Sequence, residues 1–331
     1  MNPPKYQAIN YINFLIASQK VYSCCEAERV HPASESPPAH DAINRLLHRH
    51  EPNSKELWQE AEPYVELNRG VLVLDDTMLD KLYAQRMDLV SRQWSGKHKR
   101  VVKGINLTTL LWSDGDKHIP CDYRLYEKAV DGATKNDHFR AMLTTAHERG
   151  FRPECVAFDS WFSALANLKL IDRYGWRWLT RLKRNRLVNP DRCGNRALSE
   201  IDIGAQGRIV HLKGYGMIRV FKIVAPDGDI DYWATNDLAV NEWQRLKWAD
   251  CEWSIEEYHR GLKQCCGVER AQVRSSRAQR NHIGFAIRAF LRLEMHWFTT
   301  GVSWYEAKLR IIRDAVRSYL AAPTITLLPT A

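Results

Sequence analysis

Gly70-Val71-Leu72-Val73-Leu74-Asp75-Asp76-Thr77 sets four apolar residues directly before two carboxylates. A short continuous apolar run of this kind reads as a buried strand, here delivering acidic groups to the end or edge of a sheet. Two distant segments place a carboxylate in a comparable setting, Glu154-Cys155-Val156-Ala157-Phe158-Asp159 and Trp253-Ser254-Ile255-Glu256. Three acids from three separated segments suggest a metal site.

The texture around these motifs sets the fold class. After the first acidic strand come Val101 to Trp112, rich in Val, Ile, Thr and Leu, a turn at Ser113-Asp114-Gly115-Asp116, and His118 to Tyr126. This is a hairpin that extends the first strand into a three-stranded antiparallel meander. Asp137 to Arg149 reads as a helix stopped by Gly150, and it leads into the second acidic strand. Ser163 to Tyr174 is again helical, ended by Gly175, and Trp176 to Arg181 is a strand. Three strands, then helix, strand, helix and strand, is the order of a ribonuclease H-like mixed α/β sheet with flanking helices.

The remaining segments divide the chain. Residues 1–68 form an N-terminal helical region with helices expected at 6–24, 40–47 and 54–61, either docking a DNA end or simply capping the main domain. The core occupies 69–183. Residues 184–240 hold Pro190, several glycines and strands at 208–212, 217–225 and 231–234 without helical period, and read as an inserted β subdomain. Helical patterning resumes near Glu242, so 241–300 is the second, helical part of the core, and 301–331 is a C-terminal helix and tail.

On a helix at about 100° per residue, Glu252, Glu256, Arg260 and Lys263 share one face while Ile255, Tyr258 and Leu262 share the opposite one. Glu256 therefore points away from the apolar stripe. The same face would also suit solvated ion pairs, and the company of the other two acids is what favours a site. Carboxylates from two strands and a facing helix can bind two Mg²⁺ ions about 3.5–4 Å apart, with Mn²⁺ as a substitute. Such a pair activates a water or a 3′-hydroxyl for in-line attack on a phosphodiester. Arg260 and Lys263 are then placed to contact the DNA backbone.

Composition is compatible with that chemistry. The 331 residues are 45% hydrophobic, enough for a large core, and 48 Lys+Arg against 39 Asp+Glu leave a net charge of +9 that favours polyanionic partners. The eight cysteines include no C-x-x-C, which argues against a zinc site or a disulfide framework. No apolar run reaches the roughly 18–20 residues of a membrane span, and Met1-Asn2-Pro3-Pro4-Lys5 does not begin a signal peptide. The expectation is a cytoplasmic, nucleoid-associated protein with no membrane partner.

The chain resembles bacterial insertion-sequence transposases of the DDE type, in the IS-four superfamily and within it the IS-seven-oh-one branch. The resemblance runs from about Tyr6 to about Phe298. It is carried by Leu74-Asp75-Asp76-Thr77, Phe158-Asp159-Ser160-Trp161, and Glu256 followed by Lys263 in the pattern E-x₆-K. It implies that Asp75, Asp159 and Glu256 are the catalytic, metal-binding acids and that Lys263 contacts the element end, with Asp76 in a supporting role because the family motif places its acid first. It also implies a cut-and-paste reaction on double-stranded DNA, at element inverted repeats and target sites, by a homodimer that brings two ends together. Glu252 and Ala249 stand where the family signature has Arg and Tyr. A flipped base is commonly held by stacking; Trp253 and Trp161 are the candidates for this, with packing in the core the favoured reading of Trp161. Other readings are a ribonuclease H-like structure-specific endonuclease without strand transfer, and a non-catalytic DNA-binding regulator derived from a transposase.

Overall fold

A computed structural model describes residues 4–95, 98–127 and 132–325. The chain opens with helices α1 (Ala8–Ala17), α2 (Cys24–Arg29), α3 (His40–Arg49) and α4 (Lys55–Ala61). Strands β1 (Val71–Asp80), β2 (Ser91–Ser95), β3 (Arg100–Ser113) and β4 (His118–Tyr126) follow. Then α5 (Lys135–Glu148), β5 (Cys155–Phe158), α6 (Leu165–Arg173) and β6 (Trp178–Leu182) alternate. Short strands β7 (Leu187–Asn189), β8 (Arg196–Ala197), β9 (Arg208–Leu212), β10 (Gly216–Val224) and β11 (Ile230–Thr235) precede three long helices, α7 (Glu242–Cys265), α8 (Ser276–Thr300) and α9 (Trp304–Ala321). The expected tail beyond residue 325 lies outside the described residues.

The chain divides into two compact units, residues 53–259 and residues 1–52 with 260–331, and α7 passes from one to the other after His259. All the strands lie in the first of these, in a single sheet of order β2-β3-β1-β5-β6-β11-β10-β9-β7-β8, with β4 also paired to β3. β1 is antiparallel to β3, and β3 to β4, giving the meander; β5 is parallel to β1 and β6 parallel to β5. This is a ribonuclease H-like mixed sheet. The strands after residue 184 do not form a separate layer, because β11 pairs antiparallel with β6 and prolongs the same sheet.

Burial explains the apolar runs. Val71 to Leu74 and all of β5 are buried, as parallel strands covered on both faces must be. Phe139 of α5 packs its ring on Phe158 and stacks on Phe162, at centroid distances of 5.1 and 5.0 Å. Ion pairs tie α7 to the segments beside it: Lys247 lies 3.5 Å from Glu154, just before β5, and Arg181 of β6 reaches Glu252. Its Ile255 and Tyr258 are buried while Glu256 is exposed, as helical periodicity predicts. β2 is not anticipated by periodicity, since Ser91-Arg92-Gln93-Trp94-Ser95 shows no run of apolar residues; it pairs with residues 100–104 of β3 and buries only Ser95.

In the other unit, α1 and α3 pack on α8. Buried polar groups there are satisfied across long sequence distances. Tyr11 bonds His282 Nδ1 at 3.0 Å, and Asn281 donates to the carbonyls of Leu47 and His50 at 2.7 and 3.0 Å. Lys308, 6% exposed, donates to the carbonyls of Ile16, Ser18 and Cys265. Such groups would be costly to bury without these partners.

Gly70, at the entrance to β1, has φ of 77°, and a Cβ there would lie 2.6 Å from Trp112 Nε1 and 2.8 Å from the Ser113 carbonyl. Gly70→Ala should therefore destabilise the fold by about 2 kcal/mol or more through backbone strain and a clash against backbone. A urea unfolding midpoint equal to that of the wild type would contradict this account of the entrance to β1.

Candidate active site

β1 and β5 pair in parallel with Leu74 opposite Phe158. The next residue on each strand, Asp75 and Asp159, therefore leaves the paired region beside its neighbour. Asp75 continues along β1 opposite Thr109 of β3. Asp159 turns instead: its Oδ1 accepts the backbone N–H of Trp161 at 3.0 Å, capping a short 3₁₀ turn, and its carbonyl accepts Thr180 Oγ1 at 3.1 Å. Glu256 comes from α7. These three carboxylates line one cavity of about 710 Å³ together with Arg181, Lys183, Arg184, Asp231 and Glu252.

Placing acids this close has an electrostatic cost. Burial pushes the Asp75 carboxyl well above the usual carboxylate range, and the neighbouring Asp159, Asp76 and Glu256 carboxylates push it further. Asp159 is raised to about 6, by burial first and then by Asp76, against the opposing pull of the Trp161 and Phe162 amides and Arg181. Among the described residues no three His, Cys, Asp or Glu side chains converge closely enough to hold a single ion. Asp75 is instead the carboxylate within electrostatic reach of both Asp159 and Glu256. A partly dehydrated, all-oxygen donor set whose charges repel one another fits a divalent cation, which would relieve the repulsion.

Asp75 and Asp76 are separated by the alternation of a strand. Asp75 lines the cavity, whereas Asp76 accepts from Asn106 Nδ2 and pairs with Lys135 Nζ at 2.8 Å. Lys135 also lies 5.8 Å from the centroid of the Trp161 ring. That ring is 58% exposed, which corrects the expectation of a core tryptophan: Phe162, not Trp161, is the residue of this turn that packs inward. Trp253 is 55% exposed on α7. Arg260 is exposed and Lys263 lies 3.7 Å from Glu269; both belong to the stretch of α7 within the second compact unit.

Glu252, at the signature's arginine position, is 8% exposed and accepts from Arg181 at 2.7 Å. Burial raises its carboxyl although Arg181 opposes this. Arg181 also packs 5.0 Å from the Trp233 ring centroid. The guanidinium that pairs with Glu252 thus comes from strand β6. Arg181, Asp231 and Lys135 carry no motif signal; strand pairing, with Tyr232 opposite Leu182, and a contact spanning 59 residues bring them here.

The family model for DDE superfamily endonucleases matches residues 15–208. That is more than half of the chain, and the chain belongs to this superfamily. A solved structure described as the cryo-EM structure of a piggyBac transposase synaptic complex with hairpin DNA is similar over 98% of this chain and 74% of that one, with a TM-score of 0.51 and 12% identity. At that identity the likeness is one of fold. The comparison with curated proteins finds no match.

Glu252→Ala should cost about 2 kcal/mol in urea unfolding, because it strands the Arg181 guanidinium; an unchanged midpoint would show that the pair is not maintained in solution. A second expectation concerns pH. The raised carboxyls of Asp75 and Asp159 mean that the ion-free fold holds these protons more tightly than the unfolded chain does. The stability this confers is complete below about pH 4 and is lost as the pH rises through 6, amounting to about 3 kcal/mol for Asp159. In EDTA, Asp159→Asn should flatten this part of the stability curve, and an Asp159→Asn curve parallel to the wild type would refute the burial and repulsion described.

Proposed function

We propose that the protein is a DNA transposase of the insertion-sequence kind that binds the terminal inverted repeats of its element, cleaves the DNA and transfers the 3′-OH ends to target DNA. The observation that carries this reading is the grouping of Asp75, Asp159 and Glu256 around one cavity in a ribonuclease H-like sheet. Membership of the DDE superfamily endonucleases supports it, as does the likeness in fold to a transposase. The IS-four signature motifs point in the same direction.

Asp75, Asp159 and Glu256 would hold the divalent ions, Mg²⁺ in the first instance and Mn²⁺ as a substitute. When bound, such ions activate the attacking oxygen and stabilise the leaving one in phosphodiester cleavage and strand transfer. The chain's own groups do the rest. Asp75, within electrostatic reach of both Asp159 and Glu256, would lie between them in the donor set. The Trp161 and Phe162 amides orient the Asp159 carboxylate, and Thr180 fixes its main chain. Asp76, fixed by Asn106 and Lys135 and within electrostatic reach of Asp159, would support the site from the middle of β1. Lys183 and Arg184, at the cavity's rim, position the DNA backbone, and Arg260, Lys263 and Trp253 on α7 are further DNA contacts. Residues 1–68 would bind the DNA end, and two copies would join on DNA to bring both ends together in the cytoplasm.

The test uses the full chain with a supercoiled plasmid carrying the DNA that flanks its coding region. Asp75→Asn, Asp159→Asn and Glu256→Gln should each reduce Mg²⁺-dependent nicking by more than the roughly 100-fold that loss of an outer partner costs, and EDTA should abolish it. DNA binding, measured separately by mobility shift, should survive in all three. Full nicking by any of these variants would remove that residue from the site. A pre-cut 3′-OH end that is never joined to a target would reduce the reading to an endonuclease without strand transfer.

A further inference from the structure

The outer end of the sheet carries a surface that the carboxylate cavity does not use. β2 runs antiparallel to the start of β3, with Arg92 opposite Lys103 and Trp94 opposite Val101. Residues directly opposite one another in such a pair share a face. Here that face turns to solvent: Arg92 is exposed, Trp94 is 67% exposed and Val101 59%. Lys99 and Arg100, at the entrance to β3, are exposed as well. No Asp or Glu occurs between Asp88 and Asp114, and among the described residues Arg92, Lys99 and Arg100 form no ion pair.

This face is firmly held rather than loose. His98 Nε2 lies 2.9 Å from Asp80 Oδ2 at the end of β1, and Ser95 Oγ accepts the His98 backbone N–H at 3.4 Å. On the other side the Lys81 N–H donates to the Lys103 carbonyl at 3.1 Å, and Lys103 Nζ donates to the Ala84 carbonyl at 3.0 Å. Two features of so well anchored a surface are unfavourable in the free protein. Like charges directly opposite, as Arg92 and Lys103 are, repel one another. Cations on an edge strand do deter pairing with another chain, but an exposed tryptophan and valine set between them serve no such purpose. Both features become favourable against a polyanion that also has an apolar groove.

We propose that the outer face of the β2–β3 hairpin is a contact for duplex DNA, in which Trp94 and Val101 enter the minor groove as an apolar ridge. Arg92 and Lys103 on one side of the ridge, and Lys99 and Arg100 on the other, take the phosphates that border the groove. The inference rests on the reading of the carboxylate cavity as a DNA-cleaving centre, which supplies the duplex. An apolar ridge between two sets of cations matches a groove between two rows of phosphates, and apolar side chains are characteristic of proteins that enter the minor groove. The position follows from β1. Asp80, to which the hairpin is anchored, is five residues beyond Asp75 on the same strand, about 17 Å away. At about 3.4 Å per base pair, the contact falls about five base pairs from the phosphate at the cavity.

The experiment measures binding without cleavage, in EDTA, by fluorescence anisotropy of a labelled duplex taken from the DNA that flanks the coding region. Trp94→Ala should weaken binding by about tenfold or more, the effect of truncating an interface tryptophan, and Trp94→Phe should restore it to within about threefold. Arg92→Gln and Arg100→Gln should each lower the slope of log affinity against log salt by about 0.9. Netropsin, a minor-groove ligand, should weaken binding of the wild type and leave that of Trp94→Ala little changed. Hydroxyl-radical footprinting should show one protected minor-groove step that is lost in Trp94→Ala, about five base pairs from the nicked phosphate. Undiminished binding in Trp94→Ala, failure of Phe to rescue, or an equal effect of netropsin on both proteins would each overturn the contact. So would sedimentation without DNA in which Trp94→Ala dissolves a dimer while duplex affinity is unchanged, since the ridge would then belong to a second copy of the chain. Nicking assayed alongside keeps the two readings apart. Wild-type protein that shows the Trp94-dependent footprint yet never nicks would leave the contact standing and remove the cleavage reading.

Discussion

The parallel pairing of β1 with β5 is the constraint on which the candidate site depends, because it sets Leu74 opposite Phe158 and so brings Asp75, midway along β1, beside Asp159, just past the end of β5. Parallel strands bury both faces, and the apolar runs before the two acids meet that demand. A slip of one residue would turn every side chain of β1 to the other face, exchanging Asp75 for Asp76 at the cavity. The register is held from both sides, by the ten-residue antiparallel pairing of β1 with β3 and by the packing of Phe139 and Phe162 behind Phe158.

Electrostatic tension at one end of the sheet is the consequence of that register. Asp75, Asp159 and Glu256 share a partly dehydrated cavity, and both strand acids hold their protons more tightly than usual. The surroundings offset the charge unevenly. Asp76 pairs with Lys135 and Glu252 with Arg181, yet Asp76 still pushes up Asp159, and Asp159, Asp76 and Glu256 together push up Asp75. A cavity whose strand carboxyls are raised by burial and by one another is an arrangement that a divalent cation would relieve. The Arg181–Glu252 pair joins β6 to α7 at the cavity wall.

Much of the core could be read from residue order. The hairpin of β3 and β4, the helices α5 and α6 and the two acidic strands fall within a few residues of where periodicity and glycine stops place them, because each is decided by local preference and one buried face. Edge strand β2 was not legible: a strand with one buried residue shows no alternation. The joining of β11 to β6 was hidden as well, since composition reveals strands but not the edge they extend. The turn after Asp159 misleads for a related reason. Trp161 and Phe162 are both apolar and adjacent, and only the 3₁₀ geometry capped by Asp159 decides which ring faces the core.

By itself the sequence determined the class of fold and the three acids worth considering, because buried strands, amphipathic helices and turn residues are written in patterns a few residues long. The family motifs ranked Asp75 above Asp76. Tertiary structure alone decided that Asp75 lines the cavity while Asp76 is tied to Asn106 and Lys135, and that Arg181 answers Glu252. The reason is physical: these are contacts between groups tens of residues apart. Their meeting depends on strand register and on which edges pair, and no local preference encodes that.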